Sequence, residues 1–415
     1  MPKRVDLTNY GNGPYVGNTR RLNHLTSSRI TVKPIVGVSK RYQSTMDQDS
    51  IPVQPDEPEI EYDHARIAMA LISDNTIEYV DSYPAAKQYL SDHSSNVYDM
   101  YVGDDVQASV CANIPNNQFE QVGNLRNVYL GANVANISQS AFNLCSELQS
   151  VTGLTGVTSI LSSAFLSCTK LKNITLENSK LAVLGQYAFM RCSSLERAVF
   201  PNTIQQLGGT CHFQYAYGLQ TLTLPETYTG PIPEHFCDMS VDNSTDDETQ
   251  NYGMTVSSLR TLSLGHTASV GNQAFYGCDK LTTLVIPSTC MNIGDNAFYC
   301  CWNLNNITFN EGLLSIAHGG FDQCTRLSSI HLPESLGSLG KEAFGDCALL
   351  EEVYIGAGIE DIALNTDEPT FYKHVQHAAL ELKPVHFTIN KPQGTFTEDL
   401  SEWGVPEGST FTWIG

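Results

Sequence analysis

The chain holds twelve cysteines, and a thiolate can act as nucleophile, metal ligand or half of a disulfide. Seven of them share one setting. Cys145, Cys168, Cys192, Cys278, Cys301, Cys324 and Cys347 each stand three residues after a phenylalanine and three before a leucine. No Cys-x-x-Cys and no His-Glu-x-x-His occurs, so the spacing supports no zinc site. Cys211-His212 could be written as nucleophile and base, but such a pair meets through the fold rather than by adjacency. The chain also lacks a phosphate-binding loop, a dinucleotide fingerprint and a nucleophile elbow. Glu351 and Glu352 are neighbours on an expected strand, where they face opposite sides, so they read as solvation. The stretch over 238–258 carries Asp238, Asp242, Asp246, Asp247 and Glu248, a dense set of oxygen ligands for Ca²⁺. It lacks EF-hand spacing, and an acidic loop is the plainer reading. The expectation is therefore no catalytic residue, no metal and no cofactor.

The elements that position the cysteines follow from the phenylalanines. Phe119, Phe142, Phe165, Phe189, Phe213, Phe236, Phe275, Phe298, Phe321 and Phe344 recur every 23 or 24 residues, apart from one gap of 39. A fixed period in the twenties means a solenoid, here about ten units with one insertion of about 16 residues. Within a unit, "LTTLVIP" and "LSSIHLP" alternate like a short strand and end at a proline. The Ala-Phe-x-x-Cys stretch is expected to pack as a short helical or 3₁₀ turn on the far side. One unit cannot bury its apolar face alone, but stacked units share a continuous core. A cysteine at a recurring slot points into that core, where a free thiol behaves as a small hydrophobe. Rungs roughly 4.7–4.9 Å apart are within disulfide reach by Cα distance. In-register side chains run parallel, however, and suit a disulfide poorly. A reduced ladder is the expectation and disulfides the alternative.

These elements resemble the BspA-type leucine-rich repeat family, with its Leu-x-x-Ile-x-Leu-Pro, Ile-Gly-x-x-Ala-Phe and x-x-Cys-x-x-Leu pieces. The resemblance covers roughly residues 119–360. It implies a curved solenoid with a parallel sheet on one face, a role in adhesion or protein recognition, and no chemistry. Two units depart from the pattern. Ala216 stands where the Phe213 unit should have its cysteine, and the Phe236 unit runs into the insertion. The expected fold class is an α/β repeat solenoid, a curved leucine-rich-repeat array of about ten 23-residue units over 118–362, with its insertion at 238–258. A small α/β cap over 61–117 and a β-rich cap over 363–415 cover its ends. In the first cap "DHARIAMALI" is expected as a short helix, "TIEYVDS" as a strand and "YPAAKQYL" as a helix. Trp403 and Trp413 are available to cover the last repeat.

One residue of each strand should form a row across the exposed side of the sheet. The row is Tyr129, Thr152, Thr175, Val199, Thr223, Ser263, Val285, Thr308, His331 and Tyr354. It suits a protein or glycan ligand, since solenoid faces are binding surfaces. Equally, Thr, Val and Tyr simply favour strands.

The net charge is −21 and makes nucleic acid an unfavourable partner for the body. The charge is uneven. Residues 1–46 carry Lys3, Arg4, Arg20, Arg21, Arg29, Lys33, Lys40 and Arg41 against Asp6 alone, a net of +7, which leaves −28 for the remainder. This basic arm and the acidic, proline-spaced linker behind it fill residues 1–60. The arm reads as a tether to a larger assembly or as a solvated leader. No segment reaches the ~18 apolar residues of a membrane span, and no ordinary secretory signal is visible. The expectation is a non-enzymatic structural or interaction protein tethered by its arm, in the virion or cytoplasm of the producing cell. A bacteriophage component for attachment or host recognition is the specific form. A cell-surface adhesin exported by a non-classical route and a cytosolic scaffold are the alternatives in the same class. A cysteine-dependent enzyme is the alternative from another.

Overall fold

A computed structural model describes residues 61–240, 257–364, 369–371, 384–397 and 399–415. The basic arm, most of the acidic insertion and parts of the C-terminal region lie outside the described residues.

Strand β1 (Ile67–Leu71) opens the described chain and pairs antiparallel with both β2 (Ile77–Val80) and β3 (Tyr98–Val102). "IAMAL" is thus a central strand, not the expected helix. Its first four residues are all buried, and a short continuous apolar run has no period that separates helix from strand. Helix α1 (Tyr83–Asp92) starts where Ser82 caps it, its hydroxyl accepting from Ala85 N–H at 3.3 Å, with Pro84 in the first turn. Its Tyr83 packs edge-on against Phe119, centroids 6.1 Å apart, and donates to the Cys111 carbonyl at 2.9 Å. The cap thereby closes the apolar end of the first repeat.

From β3 onward the chain is a β-solenoid with two parallel sheets. One continues through Leu125–Tyr129, Ser150–Thr152 and Asn173–Ile174, then Arg197–Val199, Thr221–Leu224 and Thr261–Leu264. It resumes as Thr283–Ile286 with Asn306–Phe309, then Ser329–His331, Glu352–Ile355, His386–Ile389 and Thr410–Trp413. The last two strands belong to the C-terminal region and carry the same sheet onward. The other sheet is built of two-residue strands such as Asn136–Ile137 and Asn292–Ile293. At the Phe236 unit a bridge joins Ile232 to Val270, but Pro231 and Pro233 have no N–H to offer the preceding strand Gln206–Leu207, and this second sheet divides into two there.

The far side is not helical. Ser140, Phe142 and Leu144 send their N–H groups to Ser162, Ala164 and Leu166 of the next rung, at 2.8–2.9 Å. The intervening Ala141, Asn143 and Cys145 close local turns onto Ser138, Ser140 and Phe142. Left-handed residues two before and two after the phenylalanine set up this alternation, for example Ser140 (φ 53°) and Leu144 (φ 59°). A helix would aim every N–H along its own axis and leave nothing to bind rung to rung. The alternation gives each buried backbone group a partner across the stack.

Inside lies the phenylalanine column. From Phe119 to Phe213 the rings stack with centroids 5.3–5.4 Å apart and planes within 11°. From Phe275 to Phe344 the spacing is 5.2–5.4 Å and the planes agree within 13°. Centroids farther apart than the rung spacing mean offset stacking, the favoured geometry for parallel rings. Phe371 adds one more ring, 5.9 Å from Phe344, and buried Trp403 covers it at 6.0 Å. Phe236 breaks the column. Its ring stands at 83° to Phe213 and 80° to Phe275.

The break has a local cause. Alanine or glycine precedes the phenylalanine in seven units, including Ala141, Ala164, Ala188, Ala274 and Ala297. In the Phe213 unit that slot holds His212, fully buried and 5.2 Å from the Phe236 ring. The imidazole takes up room beside the stack, and Phe236 turns on edge.

Candidate functional site

All twelve cysteines are buried free thiols. The seven of the repeat slot form a hydrogen-bonded column. Each S–H donates to a backbone carbonyl one rung back: Cys145 to Phe119, Cys168 to Phe142 and Cys192 to Phe165, each at 3.0 Å. Cys278, Cys301, Cys324 and Cys347 do the same at 3.5–3.6 Å, to Cys237, Phe275, Phe298 and Phe321. Burial pushes the Cys145 thiol up to about 12 and those of Cys168, Cys301 and Cys324 well above their ordinary value. A thiol held protonated neither attacks nor ligates. Of the Cys300-Cys301 pair, Cys301 joins the column, while Cys300 takes a left-handed φ of 59° and donates to Gln323 Oε1 at 3.2 Å.

His212 has the wrong setting for a general base, because its ring is wholly inside and no substrate can reach it. Burial lowers its pKa to about 4, with the Leu184 and Gly208 carbonyls only partly opposing this. The consequence is acid sensitivity. Below pH 6.5 the unfolded chain takes up this proton and the folded one does not, so stability falls as pH drops. The loss reaches about 3 kcal/mol near pH 4. Urea midpoints measured from pH 7 to 4 should show this slope, and His212→Leu should flatten it; an unchanged slope contradicts the assignment.

Asp238 is a buried anchor at the root of the insertion. It accepts from Gln214 Nε2 and His235 Nδ1 at 2.9 Å and from Ser240 N–H at 2.8 Å. The carboxylate holds the His235 pKa above its ordinary value. Asp242, Asp246, Asp247 and Glu248 lie outside the described residues, as do the basic arm residues from Lys3 to Arg41. Among the described residues no group of three His, Cys, Asp or Glu side chains could hold a metal ion. No described helix is long and apolar enough to cross a membrane.

The residues of the expected strand row line up. Tyr129 sits opposite Thr152, Val199 opposite Thr223, Thr223 opposite Ser263, Val285 opposite Thr308 and His331 opposite Tyr354. Thr175 follows directly on Asn173–Ile174. Every one of the ten is exposed or half-buried. Stacked rungs bring the aromatic members face to face. Tyr129 lies on Tyr101, centroids 4.4 Å and planes 2° apart, and His331 on Tyr354, at 4.1 Å and 2°.

The two ends of the row differ. At the first, the polar groups satisfy one another. Asp99 accepts from Asn127 Nδ2 at 2.9 Å and lies 3.7 Å from Arg126, and Asn127 accepts from the Ser150 hydroxyl at 2.7 Å. At the other, a groove of about 510 Å³ opens on the sheet, lined by Asn306, Ser329, His331, Glu352, Tyr354, His386 and Thr388. The Tyr354 hydroxyl donates to Glu334 Oε1 at 2.6 Å. That bond, with those from Ala357 N–H and Asn390 Nδ2, holds the Glu334 carboxyl below the usual carboxylate range. Sequence reasoning missed five of these seven residues. Asn306 and Ser329 stand two places before the row residues Thr308 and His331, Glu352 read as solvation, and His386 and Thr388 lie beyond the regular period. The spacing of 24 between Phe387 and Phe411, each in an alternating strand, was the available signal.

Comparison with known proteins agrees with this architecture. The profile of the BspA type leucine rich repeat region matches residues 112–239 and 250–373, in six copies. No protein of curated function matches the chain in sequence. Among solved structures, a leucine-rich repeat protein from Bacteroides ovatus is similar at 18% identity. The match covers 76% of this chain and 84% of that one, with a TM-score of 0.43. A leucine rich cell surface protein from Faecalibacterium prausnitzii is also 18% identical, over 76% of this chain and 95% of that one, TM-score 0.33. The pneumococcal vaccine antigen PcpA matches at 18% over 76% and 79%, TM-score 0.39.

Proposed function

The chain belongs to the BspA-type leucine-rich repeat family, and from that premise we propose that it is a non-enzymatic interaction protein that holds a partner against its long-strand sheet. The observation that carries this is the strand row. Across the rungs it presents an in-register, solvent-facing array of hydroxyl, aliphatic and aromatic groups, while every thiol is committed to the core. Extended sheet faces of solenoids suit broad, weakly curved partners, because identical spacing along the array lets many modest contacts add.

The tether is the second part of the proposal, and the sequence alone supports it. Eight basic residues against one acid in residues 1–46 suit docking on an acidic surface of a larger assembly. A bacteriophage particle is one such assembly and a cell surface the other. Co-sedimentation with particles favours the first, and labelling of intact particle-free cells the second. A chain lacking residues 1–46 that still joins the assembly removes the tether.

The face is tested on peptide and glycan arrays with the full chain. Thr308→Arg places bulk and charge in the middle of the row and Thr283→Arg places them beside it on the same outer face, while Met291→Arg places them at the other sheet. Binding is expected to fall at least tenfold in the first two and to persist in the third. Binding that ignores the first two, or no binding by the unaltered chain, overturns the proposal.

A further inference from the structure

We propose that the groove at the C-terminal end of the strand face takes an arginine side chain from a basic segment of a partner protein. This rests on the reading of that face as the binding surface and names the chemistry of its partner.

Charge is the first argument. The rungs over 118–240 hold seven acidic residues and six basic ones, close to balance. Those over 265–364 hold eleven acidic and three basic. The groove therefore opens in the most acidic stretch of the array, which draws a cationic partner toward that end.

The second argument is one carboxylate. Glu352 stands exposed on the outer face, in register between Ser329 and His386. None of the ion pairs among the described residues includes it. The contrast with Asp99, at the other end of the same face, is direct. Asp99 is buried and bonded to Asn127, with Arg126 beside it.

The third is the ring beside it. Tyr354 has one face covered by His331. Its opposite face looks toward the next strand, where the register partner is Thr388, too small to continue the stack. Its hydroxyl is fixed by Glu334, so the ring is held in place before any ligand arrives. Donation to a carboxylate also enriches the ring in electrons and strengthens its hold on a cation. A flat face next to an exposed carboxylate fits a planar guanidinium, which stacks and pairs at once. An ammonium ion pairs but does not stack.

The test uses the full chain and a fluorescein-labelled peptide, Gly-Ser-Arg-Gly-Arg-Ser-Gly, with its lysine and citrulline counterparts, read by fluorescence polarisation at low salt. The arginine peptide is expected to bind, the lysine peptide severalfold more weakly, and the neutral citrulline peptide at least tenfold more weakly. Glu352→Gln and Tyr354→Leu should each cost at least tenfold. Glu360→Gln, which removes a charge at the other sheet, should stay within twofold. Circular dichroism of each variant checks the fold, and Tyr354→Phe, which keeps the face, should bind better than Tyr354→Leu. Equal binding of arginine and citrulline peptides, no binding at all, or an unaffected Glu352→Gln overturns the proposal. So does a loss in Glu360→Gln matching that in Glu352→Gln, which means diffuse attraction only. If array binding is lost in Thr283→Arg while the arginine peptide fails, the groove proposal falls and the strand-face reading stands.

Discussion

Replacing Phe298 by alanine is expected to destabilise the array by about 3–5 kcal/mol and to split its unfolding into two steps. Phe298 is fully buried between Phe275 and Phe321, both 5.2 Å away, with planes 13° and 1° from its own. Truncation removes two stacking contacts and leaves a void that neighbouring rungs cannot close, because their spacing is fixed by hydrogen bonds on three sides. In a solenoid each unit is stabilised mainly by its neighbours, so a defect in the middle also uncouples the two halves. Urea unfolding followed by tyrosine fluorescence and circular dichroism should show two separated transitions. Phe119→Ala, at the end of the column, should cost stability without splitting the curve. A single transition for Phe298→Ala with less than about 1 kcal/mol lost would contradict the column's role.

The second large effect is alkaline collapse. Unfolded thiols ionise near pH 9, while burial holds five of the ladder thiols, Cys145, Cys168, Cys192, Cys301 and Cys324, protonated well beyond it. Above pH 9 the folded state then binds more protons than the unfolded one, so stability is whole below that pH and falls as pH rises. Each such thiol loses a little over 1 kcal/mol per pH unit. At pH 10.5 the five together withdraw about 10 kcal/mol, comparable with the whole stability of an ordinary domain. The urea midpoint should drop sharply between pH 8.5 and 10.5. Cys168→Ala with Cys192→Ala should reduce that drop by about two fifths, whatever they cost at neutral pH. The same thiols should stay unreactive toward a disulfide reagent until the chain unfolds. A fast-reacting ladder thiol in the native protein would instead revive a cysteine-dependent activity.

The periodic features were legible in the sequence because stacking imposes one environment on each slot. Phe142, Phe165 and Phe189 announce the column, Cys145, Cys168 and Cys192 its neighbour, and Thr223 with Ser263 the exposed row. What escaped depends on backbone conformation or on broken period. Ser140, Leu144, Tyr187 and Arg191 adopt left-handed φ with no glycine to advertise it, so the far side read as a helical turn. The strand at Ile67–Leu71 reads as a helix because alanine, methionine and leucine favour one; its burial between two strands overrides that preference. His386 lies 34 residues after Glu352, its register partner, beyond any 23-residue count. The thiol bonds to the phenylalanine carbonyls have no sequence signature either, since a buried cysteine looks the same with or without one.

Phe236 has a further consequence. A single ring turned on edge between two ordered columns is what crystallography calls a stacking fault, and His212 is the impurity that creates it. A fault divides a lattice into two coherent blocks, here the rungs of Phe119 to Phe213 and those of Phe275 to Phe371. Register passes across the boundary through the long-strand sheet, while the short-strand sheet divides there and the rings meet edge to face instead of stacking. Pulled from its ends, such an array is expected to yield first at that boundary. A partner lying across both blocks of the strand face would act as a weld.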